Sequence, residues 1–438
     1  MFFKRKSQII GLIIVLLFPL SAAALSIKET VHPEVIALKH HYYLRISPDN
    51  RFWFLYADSK DQLWLEDFLH KKRYLVNESP KGVLSSPNIA LNDKKIFVIW
   101  REKGPEGKIL YFRAFNFKTN SWEAPKILDK DSAPLNRNAI QVQGEKVFVV
   151  WYGEAENRYA IYVTYSLNNG KTFSPTKKLT PDDYKSRYFS LFAAEGKVYV
   201  FGEEISPEKR QMALYQWAAK AWNREMVSPC GVVVLLIKPF LLTEKLGVVW
   251  FQFGQETHQP QTVWALKENS IWQTGIFKEL EGIELSGLQV AFDGERVLLA
   301  LSGLKRLPSG EKVTKNDLWV YFSENGESWV GPLRVRTYPF KNTHAKKPKV
   351  ALAGKKALIA WEDYRFIRSN ICFNYSLDAG KTWQKEDTCL SRPGFHNSRV
   401  PWLENNLFFY DGKFYFLGHR FESDALAKPH LLFLEIEL

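Results

Sequence analysis

The sequence predicts an all-β propeller of about eight four-stranded blades, with seven or six blades as the alternatives. Aromatic residues recur at intervals of 51, 49, 50, 57 and 54 residues, at Trp122, Phe173, Trp222, Trp272, Trp329 and Trp383. Tight glycine turns recur before β-rich runs, at Gln143-Gly144, Glu195-Gly196, Asp293-Gly294, Ala353-Gly354 and Asp411-Gly412. A period near fifty residues, with about four short strands in each unit, is typical of propeller blades.

One pair of units aligns without a gap. Thirteen positions separate Pro87 from Trp100, and the same interval separates Pro348 from Trp361. Each interval fits two short strands joined by a tight turn. The inner strands of the eight units are expected near residues 44, 87, 138, 189, 240, 288, 348 and 405. The last unit lacks an outermost strand, so we expect residues 34–38 to supply it and close the ring.

The N-terminus has the layout of a secretory signal peptide. A basic cluster at residues 4–6 precedes an apolar run from Ile9 to Leu20 and small residues that end at Ala24. A membrane anchor is the alternative, but the run is shorter than the ~20 residues that span a bilayer. We therefore expect residues 1–24 to be cleaved, leaving residues 25–438 as one propeller domain without a transmembrane segment. The mature protein would be exported, either periplasmic or secreted from a bacterium.

The chain is basic, with a net charge of +13 at pH 7. Its Lys and Arg residues are scattered rather than gathered in runs, which is typical of a solvated basic surface. A specific nucleic-acid partner is therefore not expected. A chain of 438 residues is longer than an ordinary single core allows, and a repeat fold avoids that limit because each unit adds its own core. The expected form is a monomer.

The three cysteines suggest one disulfide at most. Cys372 lies on the strand that enters a tight turn and Cys389 on the strand that leaves it, so the two strands are expected to be antiparallel neighbours. In an oxidising compartment the two cysteines would form a bridge, and two buried free thiols are the equal alternative. Cys230 is left over. No Cys/His spacing indicates a metal site, and no cofactor is expected.

One turn motif occurs three times. In its fullest form Ser376, Asp378, Gly380, Thr382 and Trp383 alternate with other residues after a strand. The polar side chains can bond nearby backbone N–H groups, glycine supplies a positive φ, and the aromatic residue packs beneath the hairpin. The two other copies comprise Ser166, Asn168, Gly170 and Phe173, and Ser323, Asn325, Gly326 and Trp329.

This motif resembles the Asp box, or bacterial neuraminidase repeat, of sialidase-like β-propellers. The resemblance implies that the boxes are structural and lie at the outer edge of their blades. Sialidases have six blades, so eight units depart from that architecture. They hold the substrate carboxylate with three arginines, for which Arg137, Arg187 and Arg399 occupy comparable loop positions. The Arg-Ile-Pro motif of the family is absent, and neither its Tyr–Glu nucleophile nor its catalytic Asp is matched by motif.

The candidate site lies where the loops entering the inner strands meet those that follow the second strands. The weak candidates for catalysis are Asp363, Glu362 and Glu203. The candidates for ligand binding are Arg137, Arg187, Arg399, Trp151, Tyr152, Glu154, Arg365, His419 and Arg420. The alternatives are structural: Trp151 would pack between blades, Glu362 and Asp363 would pair with Arg365, and His419 would have a structural role.

The mixture of carboxylates, guanidinium groups and aromatic rings suits a sugar or another polar ligand. The preferred interpretation is a non-enzymatic recognition or scaffold protein that binds a glycan or a protein partner on its loop-rich face. The alternative is a sialidase-like exo-glycoside hydrolase, so whether the protein is an enzyme stays open. Paired carboxylates about 5–10 Å apart would favour the hydrolase.

Overall fold

The structure is a computed structural model. It describes residues 25–36, 42–58, 60–78, 82–105, 107–130, 137–155, 158–254, 258–305, 316–337, 343–366, 368–390, 397–400, 406–421 and 430–438. The expected signal peptide, residues 1–24, lies outside these ranges. Apart from the short 3₁₀ helix Lys278–Leu280, the regular elements are β-strands. No helix within the described ranges is long and apolar enough to cross a membrane.

The strands follow one another along the whole chain. They are β1 Ser26–Ile36, β2 Tyr42–Ile46, β3 Phe52–Ala57, β4 Leu63–Asp67, β5 Lys72–Leu75, β6 Val83–Leu91, β7 Lys95–Gly104, β8 Gly107–Asn116, β9 Ser121–Trp122, β10 Lys126–Lys130, β11 Asn138–Gln143, β12 Lys146–Ala155, β13 Arg158–Ser166, β14 Lys177–Lys178, β15 Phe189–Ala194, β16 Lys197–Ile205, β17 Arg210–Ala218, β18 Ala221–Met226, β19 Val232–Leu242, β20 Lys245–Gly254, β21 Pro260–Glu268, β22 Ile271–Ile276, β23 Ile283–Phe292, β24 Val297–Lys305, β25 Asp317–Ser323, β26 Val330–Leu333, β27 Ala345–Ala353, β28 Lys356–Phe366, β29 Arg368–Ser376, β30 Thr388–Cys389, β31 Asn397–Arg399, β32 Leu407–Tyr410, β33 Lys413–Phe421 and β34 His430–Glu437.

These strands form eight antiparallel sheets, which are the blades of a β-propeller. Strands β2–β5 form blade 1, β6–β10 blade 2, β11–β14 blade 3, β15–β18 blade 4, β19–β22 blade 5, β23–β26 blade 6 and β27–β30 blade 7. Blade 8 contains β31–β34 and, as its outermost strand, β1. The predicted all-β propeller with eight four-stranded blades is therefore confirmed.

The N-terminal strand closes the ring. Strand β1 pairs antiparallel with β34, from Ser26 opposite Glu437 to Ile36 opposite His430. The closing strand thus begins earlier than the expected residues 34–38, of which residues 37 and 38 lie outside the described ranges. Blade 8 then packs on blade 1, where Leu417 and Phe433 share a core cluster with Phe54.

The core lies between consecutive blades. Each second strand is almost continuously apolar because a neighbouring blade covers each of its faces. In β12, for example, Val147, Val149 and Trp151 pack against Phe97 and other residues of blade 2. Trp53, Trp151, Trp250 and Trp361 are fully buried in this way.

Two faces of the ring follow from the antiparallel pairing. The segments that enter each inner strand and those that follow each second strand lie on one face, which we call the loop face. The turns from first to second and from third to fourth strand lie on the other, which we call the turn face. Gly144 and Gly354 occupy first-to-second turns at φ 57°, a conformation that glycine adopts without steric cost.

The three repeated turn motifs lie on the turn face and are held by their own side chains. The N–H of Gly380 donates to Ser376 Oγ at 2.8 Å, and the N–H of Thr382 donates to Asp378 Oδ1 at 2.8 Å. Trp383 Nε1 donates to the Gly380 carbonyl at 3.1 Å, so the ring folds back beneath the turn. Equivalent bonds join Gly170 to Ser166, Thr172 to Asn168, Gly326 to Ser323 and Ser328 to Asn325.

The aromatic residues of the other two copies pack in the same way. Phe173 meets Phe112 edge to face, and Trp329 meets Phe277. Beside the third copy, Cys372 on β29 and Cys389 on β30 stand opposite each other and form a disulfide. Of the two alternatives left open by the sequence, the structure has the bridge. Cys230 is an exposed free cysteine.

Candidate functional site

The second strands reach the loop face through a repeated pattern of Trp followed two residues later by a hydrogen-bond acceptor. Residues i and i+2 of a strand share a face, so the indole can reach that acceptor. Trp100 donates to Glu102 at 2.9 Å, Trp250 to Gln252 at 2.8 Å and Trp361 to Asp363 at 2.9 Å. Trp151 instead donates to Asp129 at 2.9 Å. The structure thus places Trp151 between the blades.

Asp363 lies in a buried ion-pair network. Its carboxylate accepts hydrogen bonds from Arg336 Nε and from an Arg365 guanidinium nitrogen, both at 2.9 Å. Arg365 in turn bonds Asp387 at 2.6 Å. Burial alone would raise the pKa of Asp363, but the hydrogen bond from Arg365 and the charges of Arg336 and Arg365 outweigh it, so the pKa is lowered. A carboxylate held in this way is poorly suited to exchange protons with a ligand.

Glu362 points to the other face of the same strand, where it meets blade 8. Tyr364 Oη donates to Glu362 Oε1 at 2.5 Å, and Lys347 Nζ lies 3.0 Å from Oε2. The backbone N–H of Val400 also donates to Oε2, at 3.2 Å. Burial, followed by the bond to Glu362, raises the pKa of Tyr364, and the nearby positive charge of Arg399 opposes this. Tyr364 is therefore a neutral hydroxyl at physiological pH.

Glu203 forms the centre of a second cluster, where blade 4 meets blade 5. Its Oε1 accepts from the Val234 N–H at 3.3 Å and lies 3.9 Å from Arg210. Its Oε2 is buried and has no hydrogen-bond partner among the described residues, and the nearby Tyr152 hydroxyl is buried as well. Burial raises the pKa of Glu203 more than Arg210, the Val234 N–H and Arg187 lower it. Burial also raises the pKa of Tyr152.

The three arginines of the expected anion clamp do not share one cluster. Arg137 lies over the rings of Tyr188 and Phe189 in blade 4, and Arg187 is exposed near Glu203. Arg399 belongs to blade 8, where its guanidinium lies 5.0 Å from the Phe421 ring centroid. Blades 4 and 8 are opposite each other in a ring of eight. A clamp of all three would therefore combine arginines at blades 3 and 4 with one from blade 8.

The remaining candidates have individual surroundings. His419 is buried at the end of β33, with its ring edge-on to Phe421. Arg420 donates to Glu29 of the closing strand at 2.5 Å. Glu154 lies in β12, and its side chain is outside the described part of the structure. No group of three or more His, Cys, Asp or Glu residues capable of holding a metal ion occurs within the described ranges.

The structure also contains two Tyr–Glu–Arg clusters that sequence reasoning missed. In blade 1, Tyr56 and Arg73 both donate to Glu66, at 3.1 and 3.0 Å. In blade 4, Tyr215 donates to Glu204 at 2.5 Å and Arg224 donates to it at 2.7 Å, with the Glu on the second strand and the Tyr on the third, the reverse of blade 1. The three residues of each cluster lie on three different strands and are far apart in the sequence. No short sequence motif therefore predicts the cluster.

The solved structures that this chain resembles share little sequence identity with it. No family model and no curated protein matches the chain. A solved polysaccharide lyase, Uly1, shares 9% identity over 83% of this chain and 93% of its own, with a TM-score of 0.49. The sialidase of Trypanosoma rangeli shares 11% over 94% of this chain and 58% of its own, with a TM-score of 0.42. The β-propeller domain of the Trilobed protease from Pyrococcus furiosus shares 14% over 80% and 92%, with a TM-score of 0.43.

Proposed function

We propose that this protein is an exported recognition propeller that binds an acidic glycan on its loop face without cleaving it. The proposal rests on a difference between the acidic and the basic side chains of that face. Asp363 and Glu362 are both engaged by buried donors of the protein itself. Arg137, Arg187 and Arg399, by contrast, have no carboxylate within ion-pair distance among the described residues. In the described part of the loop face, these arginines attract anions, whereas Asp363 and Glu362 are not free for acid–base chemistry; Glu203 is the carboxylate that remains for a hydrolase.

The surroundings of the arginines support a sugar as the ligand. Tyr188 beside Arg137 and Phe421 beside Arg399 place aromatic rings next to guanidinium groups. Rings suit the apolar faces of sugars, and guanidinium forks suit carboxylates. The inner strands of the described chain add to the positive field, because they carry one acidic residue, Glu284, against the basic residues Arg45, Lys238, Lys346, Lys347, Lys349 and Arg399.

The test is calorimetric titration of the mature protein with a polyuronate and with neutral dextran at one ionic strength. We expect saturable binding of the polyuronate alone, weakened about tenfold or more in Arg137→Ala/Arg187→Ala, because a charge-assisted hydrogen bond contributes about 1.5–3 kcal/mol. The control, Lys171→Ala, removes one exposed charge from the turn face and should bind like the wild type. Equal binding of dextran, or equal loss in the control, would overturn the proposal.

A glycoside hydrolase is the second candidate, favoured by the hydrogen-bonded Tyr364–Glu362 pair. The Asp-box resemblance implies a Tyr–Glu nucleophile, and Arg399 is close enough to influence Tyr364. A panel of fluorogenic glycosides tests this. Turnover that is lost in Tyr364→Phe and kept in Tyr215→Phe, which alters a matched buried pair in blade 4, would establish the hydrolase and end the non-enzymatic proposal.

A further inference from the structure

The turn face carries a cavity of about 230 Å³ on the side of the ring away from the proposed glycan site. Three turns meet there: the β2–β3 turn, the β4–β5 turn of blade 1 and the β8–β9 turn of blade 2. The side chains that line the cavity are Arg51, Asp67, His70, Lys72, Tyr74 and Asn120. All six are polar or bear a polar group, which distinguishes the cavity from a packing defect between apolar blades.

The acidic member of the cavity is already engaged by the protein. The Asp67 side chain is 3% exposed, and both of its oxygens lie 2.9 Å from His70 Nδ1. An Arg51 nitrogen lies 3.7 Å from the same carboxylate. Arg51 is held in place because its Nε donates to Asp49 at 2.7 Å and its guanidinium lies over Trp53 and Phe117, at 4.9 and 5.2 Å from the ring centroids. Asp67 therefore orients His70 and Asp49 orients Arg51, and both basic side chains line the cavity.

The other groups around the cavity are mainly donors without a protein partner. Lys72 is exposed and has no ion pair within the described part of the chain. The Tyr74 hydroxyl has no hydrogen bond to any described residue, and burial together with the charge of Asp67 raises its pKa, so it keeps its proton. With Nδ1 of His70 directed at Asp67, Nε2 on the far side of the ring faces away from that carboxylate.

We propose that this cavity is a binding site for an oxyanion group, namely a phosphate, sulfate or carboxylate. A fixed guanidinium, an ammonium group and a neutral phenol converge on one volume, and together they donate more hydrogen bonds than the protein accepts there. The site is independent of the glycan site on the loop face. Its ligand is either an inorganic or ester-linked phosphate or sulfate, or the carboxylate of an acidic sugar.

The test is calorimetric titration of the full mature protein with sodium phosphate, sodium sulfate and sodium D-glucuronate at constant ionic strength. We expect saturable binding of at least one of them. Lys72→Met should weaken it about tenfold, since the loss of one charge-assisted hydrogen bond costs about 1.4 kcal/mol or more. Tyr74→Phe should weaken it less. Tighter binding of glucuronate would indicate that the ligand is an acidic sugar. Tighter binding of phosphate or sulfate would indicate an inorganic or ester-linked phosphate or sulfate.

Lys118→Met is the matched control. Lys118 is exposed on the same β8–β9 turn as Asn120 but does not line the cavity. Thermal unfolding of all three variants checks that they fold as the wild type does. Absence of saturable binding with all three anions would overturn the proposal. Equal weakening in Lys118→Met would also overturn it, because the effect would then be general electrostatic attraction rather than a site.

Discussion

Arg365 and Asp387 form a bidentate ion pair in the interior of blade 7. Two guanidinium nitrogens of Arg365 lie 2.6 and 2.8 Å from the two carboxylate oxygens of Asp387. Their side chains are 5% and 3% exposed. Because Arg365 also bonds Asp363, this pair links the second strand of the blade to its outer edge.

Removal of one partner should strongly destabilise the protein. In Arg365→Met the Asp387 carboxylate is left buried without its counter-ion, and breaking such a pair costs about 3–5 kcal/mol. Urea denaturation should therefore show a lower midpoint. Lys94→Met, which breaks the exposed pair with Glu145 on the turn face, should leave the midpoint unchanged. Similar midpoints for the two variants would contradict the structural role of the network.

Glu203→Gln should make the protein more stable at neutral pH than the wild type. Burial raises the pKa of Glu203, so the folded state holds the proton after the unfolded chain has lost it. Below the unfolded value of about 4.3 the two proteins should differ little. As the pH rises from there, the wild type loses stability until the folded pKa is passed. Thermal unfolding between pH 4 and pH 8 measures this difference.

Asp363→Asn should have the opposite effect on stability at neutral pH to Glu203→Gln. The pKa of Asp363 is lowered, so the wild-type carboxylate contributes stability above its unfolded value of about 3.9. That contribution is lost as the pH falls through the folded pKa. The variant should therefore be destabilised at neutral pH and approach the wild type in acid. A gain in stability at pH 7 would show that Asp363 is not held by Arg336 and Arg365.

Loss of the disulfide should lower stability without unfolding the ring. The bridge joins cysteines 17 residues apart, and closing a loop of that size contributes about 3 kcal/mol in the chain-entropy model. We expect Cys372→Ser/Cys389→Ser, or the wild type in reductant, to unfold at a lower temperature. Cys230→Ser should unfold like the wild type, since Cys230 is not bridged. An unchanged unfolding temperature in reductant would show that the disulfide does not stabilise the folded protein.

Deletion of β1 should open the ring and cause the protein to self-associate. Without residues 26–36, the backbone of β34 becomes an unpaired sheet edge, and such edges pair with other chains. Light scattering after size-exclusion chromatography should show a monomer for the intact mature chain and larger species for the deletion. A monomeric, equally stable deletion variant would mean that β1 is not needed for closure.

The candidate site was predictable only in part. The pairing of Asp363 with Arg365 follows from their spacing on one strand, because residues i and i+2 share a face. The partners Arg336 and Asp387 come from other segments, and no local pattern identifies them. The same holds for Tyr215 and Glu204, which meet across two strands that run antiparallel.

The sequence by itself determined the architecture, because a period near fifty residues, alternating strands and glycine turns are local signals that each blade repeats. It also located the turn motifs, whose hydrogen bonds lie within seven or eight consecutive residues. The sequence also indicated closure by an N-terminal strand, but tertiary structure alone decided the extent and register of that strand and that Arg137 and Arg399 belong to blades that are not neighbours. The physical reason is that these relationships depend on how many blades complete the circle, and distance across a ring is not encoded in any single repeat.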